Sequence, residues 1–267
     1  MSNAPTLDGW ALILGASSGF GAATAVELAA HGMDIFGVHL DRAQTLPLAK
    51  EVARSIEGHG RRAELFNVNA ADDAKRGQII ERIRQVAGPQ TPVRLLLHSL
   101  AFGTLRAYVT PEQPKEALTR AQLEMTLDVM ANSLVYWTQD LVHAGLMGRG
   151  ATIWAMTSAG DVRAIPTYGA VSAAKACLEA HVRQLAVELA PAGIRVNAIR
   201  AGVTDTPALR KIPVHQQLIE QAQRRNPSGR MTTPADVASA IAVLALPGAS
   251  WMTGNVINVD GGEEVVA

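Results

Sequence analysis

The chain has 267 residues, 48% apolar and 18% charged, which suits one large α/β domain or two small ones and excludes a disordered chain. Lys plus Arg and Asp plus Glu are equal at 24 each, so charge offers no attraction for nucleic acid or an anionic membrane, and 4% aromatic content is too little for base-stacking platforms. The lone Cys177, the scattered histidines, the lack of an apolar run of about 18 residues and the start "MSNAPTLDGW" predict no disulfide, no metal site, no membrane span, no secretory signal and a cytoplasmic location.

"WALILG" (10–15) is an apolar run closed by glycine, which predicts a buried strand. "FGAATAVELAAHG" (20–32) follows with helical spacing and Gly32 as its stop. A strand at 33–40, a helix at 43–59, a strand at 63–68, a helix at 73–87 and a strand at 93–100 continue the alternation. Next come a long helix at 119–147, a strand at 151–158, a helix at 168–190, a strand at 194–202, a helix at 234–246 and a strand at 255–262. Apolar strands alternating with helices predict a seven-stranded parallel sheet covered on both faces, and no linker or repeat divides it. The expectation is a single Rossmann-type, doubly wound α/β domain over 1–267. The irregular, polar stretch 203–230 follows the sixth strand and is expected to form a substrate lid.

"GASSGFG" sets Gly15, Gly19 and Gly21 between the first strand and the first helix, with Ser17, Ser18 and Phe20 among them. Glycines there admit a pyrophosphate, and the helix N-terminus offers free N–H groups and the positive end of its dipole. The bland alternative is a glycine-rich turn in a flavodoxin-like protein. At the end of the second strand an acidic residue selects NAD and a basic one NADP. Here "GVHLDRAQ" (37–44) places His39 at the usual acidic position. Arg42 can reach a 2′-phosphate and Asp41 repels one, so NADP(H) is favoured over NAD(H) on Arg42.

"PTYGAVSAAK" (166–175) sets Tyr168 seven positions before Lys175. On a helix, seven residues return to one face within about 20° but stand about 10 Å apart, against about 6 Å for four. The phenol is therefore displaced one turn from the ammonium. A ketone reductase protonates the oxygen on the carbon that takes hydride. An enoyl thioester reductase delivers hydride to C3, and its phenol meets an enolate oxygen farther away. The longer spacing is compatible with the second geometry. The bland alternatives are a helix-capping tyrosine and a solvated lysine.

From about residue 10 to 262 the chain resembles a short-chain dehydrogenase/reductase. The Gly-x3-Gly-x-Gly spacing carries this, together with "FNV" (66–68), where Asn67 replaces the usual Asp beside Val68. "HSLA" (98–101), with Ser99, Leu100 and Ala101, stands at the family's fourth-strand site. "IRVNAI" (194–199) with Thr204 and Thr206 stands at its nicotinamide and phosphate site. Tyr-x6-Lys and "HSLAFG" (98–103) resemble enoyl-acyl-carrier-protein reductases. The glycine loop and "AGVTDTPALRKIP" (201–213) point to the enoyl reductase III type.

The resemblance implies that Lys175 binds the nicotinamide ribose and that Tyr168 meets the enolate oxygen of a carrier-bound acyl thioester. It also implies a homotetramer in fatty-acid synthesis. Ser158, seventeen residues before Lys175, stands where carbonyl reductases carry a catalytic serine, which keeps a 3-oxoacyl thioester reductase or alcohol dehydrogenase as the alternative. Met130 and Val171 occupy the places of those enzymes' asparagine and tyrosine, which opposes it, although Asn132 lies near enough to act as a shifted asparagine. A non-catalytic dinucleotide sensor is a third reading, opposed by the retained Tyr168/Lys175 pair.

Overall fold

The computed structural model describes residues 6–88 and 92–266; residues 1–5, 89–91 and 267 of the expected domain, with most of the start read for a signal, lie outside that description. Seven strands form one sheet: β1 Trp10–Leu14, β2 Asp34–His39, β3 Ala63–Asn67, β4 Val93–His98, β5 Thr152–Thr157, β6 Arg195–Ala201 and β7 Val256–Val259. All neighbours pair in parallel, in the order β3-β2-β1-β4-β5-β6-β7. The order reverses between β1 and β4, and a crevice opens there at the carboxyl ends of the strands.

The helices are α1 Gly19–Ala30, α2 Leu46–Gly58, α3 Asp73–Ala87, α4 Arg120–Leu127, α5 Ser133–His143, α6 Gly169–Leu189, α7 His215–Arg225 and α8 Pro234–Ala245. The central strands alternate their side chains between two apolar layers. Trp10, Leu12, Leu14, Leu96, Ile153 and Ala155 pack with α3, α5 and α6, and Trp137 on α5 donates to the Ala70 carbonyl at 2.8 Å. Ala11, Ile13, Leu95, Leu97, Trp154 and Met156 face α1, α2 and α8. Each such Leu or Ile contributes about 1.5–3 kcal/mol on burial, which explains why both faces of these strands read as apolar in sequence. No helix among the described residues is long and apolar enough to cross a membrane.

Two expected elements differ. The helix expected over 119–147 is three pieces, because a π-turn at Asp128–Asn132 separates α4 from α5. Val129, Met130 and Ala131 are buried in that turn, and the Ser133 hydroxyl donates back to the Val129 carbonyl at 2.8 Å. Such an inserted residue leaves no mark on hydrophobic periodicity. The segment 203–230, expected to be irregular, contains α7. Only Ala222 of α7 is buried, so the helix carries too thin an apolar stripe to be seen in sequence.

Candidate active site

The β1–α1 loop abuts the end of β4: Ser99 N–H donates to the Leu14 carbonyl at 2.9 Å, and a Cβ on Gly15 would collide with the Ser99 carbonyl. Gly15 has φ +91° and Gly19 φ +55°, a region that glycine enters at little cost. A Cβ on Gly19 would meet only Thr206, at 3.6 Å, so Thr206 from the segment after β6 borders the same cradle. Ser18 sits at the N-cap of α1 in extended conformation, and its side chain makes no capping bond. The first N–H groups of α1 are thus left for an anion, and this cradle fits a dinucleotide pyrophosphate. Phe20 packs into the layer under α1, whereas Leu100 and Val68 pack on the opposite layer. Ala101 is exposed. The hydroxyls of Thr204 and Thr206 bond within their own segment, to the Gly202 carbonyl and from the Leu209 N–H.

At the end of β2, His39 is buried and its Nδ1 lies 2.8 Å from Asp41 Oδ2. Asn67, at the end of β3, holds the Asp41 backbone from both sides: its Oδ1 accepts the Asp41 N–H at 2.8 Å, and its Nδ2 donates to the Asp41 carbonyl at 2.9 Å. Burial would raise the Asp41 carboxyl, but hydrogen bonds from Thr45, Ser17 and His39 outweigh it and hold the group below the usual carboxylate range. The His39 contact and the two Asn67 bonds to the Asp41 backbone hold this carboxylate at the end of β2. Arg42, beside it, is exposed.

Tyr168 is the N-cap of α6, just after Thr167, whose φ is +64°. For a β-branched residue that conformation is a strain of about 1–3 kcal/mol, and it turns the chain sharply ahead of the helix. The phenol ring packs over Gly160, where a Cβ would meet its Cε1 at 2.6 Å. Burial raises the Tyr168 phenol above its ordinary value, and the Ser158 hydroxyl opposes that. The Ser158 Oγ is buried and closes no full hydrogen bond among the described residues, so its effect is the weaker one. Lys175 is 5% exposed, which removes the solvated-lysine alternative, and its Nζ donates to the Met156 carbonyl at 2.6 Å. Burial lowers its pKa to about 8, with the Glu179 charge acting upward. His98 is wholly buried and lowered to about 3 by burial and then by Lys175.

Three residues left open by the sequence have definite places. Met130 Sδ and Val171 Cγ2 both crowd Gly103, and both residues are buried. Asn132 Oδ1 lies 3.1 Å from His181 Nε2 and 3.9 Å from Cys177 Sγ, both on α6 beyond Lys175. A part-buried set that sequence reading missed is Glu179, Arg200 and Asp161, behind Ser158 and Lys175. Glu179 four residues after Lys175 was the available signal. Asp161 and Arg200, 39 residues apart, carried none.

Residues 15–264 match the family described as enoyl-(acyl carrier protein) reductase. The chain is 31% identical over 263 residues to cis-4-hydroxycyclohexanecarboxylate dehydrogenase from Sinomonas cyclohexanicum, covering 96% of both chains. It is 30% identical over 264 residues to 1-cyclohexenylcarbonyl-CoA reductase from Streptomyces collinus, covering 96% of this chain and 87% of that one. The solved structure of the enoyl-[acyl-carrier-protein] reductase (NADH) from Aquifex aeolicus superposes with a TM-score of 0.82 at 25% identity, covering 97% of each chain. With the parallel sheet, the glycine cradle and the Tyr168–Lys175 pair, these likenesses make the chain an oxidoreductase of the short-chain dehydrogenase/reductase superfamily, belonging to its enoyl-(acyl carrier protein) reductase family.

Proposed function

We propose that this enzyme reduces the C2=C3 double bond of a trans-2-enoyl thioester. The observation that carries this reading is the place of Tyr168. It precedes α6, seven residues before the buried Lys175, while the nearer spacing is filled by Val171, packed against Gly103. The reduced nicotinamide supplies hydride, which is accepted at C3 of the substrate. Negative charge then collects on the thioester oxygen, where the Tyr168 hydroxyl would donate a hydrogen bond or its proton, and uptake of a solvent proton at C2, with loss of any proton held on the oxygen, completes the saturated thioester. The Lys175 ammonium holds the ribose hydroxyls and adds positive potential that favours the enolate. The segment 203–230 closes over the acyl group, and exposed Val187, Val243 and Trp251 supply apolar area for a homotetramer. A cytoplasmic role in fatty-acid synthesis is part of the same reading.

For the nicotinamide, the Asp41 carboxylate, held at the end of β2 by His39 and by Asn67 on its backbone and lowered in pKa, supports NAD(H) ahead of NADP(H), against the expectation drawn from Arg42. A 2′-phosphate would meet a carboxylate held in place, whereas 2′- and 3′-hydroxyls could donate to it.

One observation favours a second reading, a carbonyl reductase or alcohol dehydrogenase: the buried, unpaired Ser158 Oγ stands beside Tyr168, ready for a substrate oxygen. The two are separated by following oxidation of NADH and NADPH with crotonyl and acetoacetyl thioesters offered separately. We expect turnover of crotonyl thioester and a loss of about 100-fold or more in kcat for Tyr168→Phe. Turnover of acetoacetyl thioester alone would sink the enoyl reading and make Ser158→Ala the informative variant.

A further inference from the structure

The buried Glu179 and Lys175 gather beneath the catalytic edge with the half-buried Asp161 and Arg200. Glu179 lies on α6 one turn after Lys175 and is 8% exposed. Its Oε1 accepts from the Thr157 hydroxyl on β5 at 2.8 Å and from Arg200 Nη2 on β6 at 3.0 Å. The same Arg200 nitrogen also donates to Asp161 Oδ2, in the turn that follows Ser158. Asp161 Oδ1 and Arg200 Nε are buried and have no hydrogen-bond partner among the described residues.

Charge bookkeeping gives the cluster a purpose. Arg200 offsets one carboxylate. The other is left to balance Lys175, which has only the neutral Met156 carbonyl as a hydrogen-bond partner. His98, facing from β4, is neutral, and Tyr168 is an un-ionised phenol near neutral pH.

We propose that Glu179 is a positioning residue for Lys175: from one helical turn away, anchored by Thr157 and Arg200, it supplies the negative charge that keeps the buried lysine an ammonium. Through Arg200 and Asp161 it also ties the Ser158 turn to α6 and β6. Burial and the nearby Asp161 push the Glu179 carboxyl above its ordinary range, while Thr157 and Arg200 favour its ionised form.

This rests on the reading of Lys175 as the ribose-binding residue, and its test does not depend on turnover. NADH affinity is measured by fluorescence titration across the neutral to alkaline range in the wild-type enzyme, in E179Q, in K175Q and in the double variant. Wild-type affinity should fall as pH rises through about 8. In E179Q the midpoint should drop by about one pH unit. K175Q should lack the transition, and adding E179Q to it should change nothing further. The alkaline limb of kcat with the turned-over thioester should move with the binding midpoint. An E179Q midpoint equal to the wild-type one overturns the proposal alone, as does a shift that survives in K175Q. Failure of the wild-type enzyme to bind NADH at any pH overturns both this and the functional reading. Should E179Q not fold, Thr157→Val loosens the same carboxylate without removing it. A smaller downward shift is then expected, and an unchanged midpoint counts against the proposal.

Discussion

At the scale of single residues, the dinucleotide preference turns on one carboxylate. Asp41 is held by Asn67 through its backbone and by His39 through its side chain, which keeps its carboxylate in the way of an incoming phosphate. Removing one unit of charge beside a phosphate in a partly buried site is worth about 1.4 kcal/mol, or tenfold. Asp41→Asn should therefore raise NADPH affinity relative to NADH by about that factor, read as the ratio of two Kd values. An unchanged ratio would remove Asp41 as the determinant. In the sequence Asp41 was visible only as a neighbour that weakened the case for Arg42. What fixes it comes from β3, 26 residues later, and such a contact has no local signature. Tyr168 and Lys175 were legible because their spacing is itself the geometric statement, written on one helix.

At the scale of elements, the β1–α1 unit has the least tolerance. A Cβ on Gly21 would collide with the Gly15 carbonyl oxygen, backbone against backbone, so no rotamer change can relieve it. Gly21→Ala should cost several kcal/mol of stability or force the loop open, and in either case abolish NADH binding. Calorimetry and a fluorescence titration would show this; full binding in a stable variant would mean that the loop has freedom this packing denies it. The same unit was the most readable part of the fold. Its strand is apolar on both faces and its glycines sit where the turn requires them. The π-turn at Asp128–Asn132 and helix α7 were unreadable for opposite reasons. The first is one extra residue inside an otherwise regular apolar pattern, and the second buries only Ala222. Periodicity reports burial, and it is silent where burial is unaffected or nearly absent.

At the scale of the whole molecule, His98 joins the sheet to the helical layer and makes folding sensitive to acid. It ends β4, and its Nε2 lies 2.8 Å from the Ser133 hydroxyl on α5. Ser133 spends its own proton on the Val129 carbonyl, so Nε2–H must be the donor and Nδ1 is left bare. Nδ1 is buried and has no partner among the described residues, so a proton placed there would be a buried charge beside Lys175. The native pKa of about 3 lies below the unfolded value of 6.5. Between these values the unfolded chain binds the proton and the native one does not. Stability from this group is complete above about 6.5 and drains away as pH falls toward about 3, at up to about 1.4 kcal/mol per pH unit. Denaturant unfolding of the wild-type protein and of His98→Gln across that window should therefore give a steeper acid loss for the wild type. Asp41 and Asp236, whose carboxyls are also lowered, titrate in both proteins and cancel in the comparison. Equal slopes would mean that the site opens and protonates His98 before the molecule unfolds, which would place the first acid-induced opening between β4 and α5.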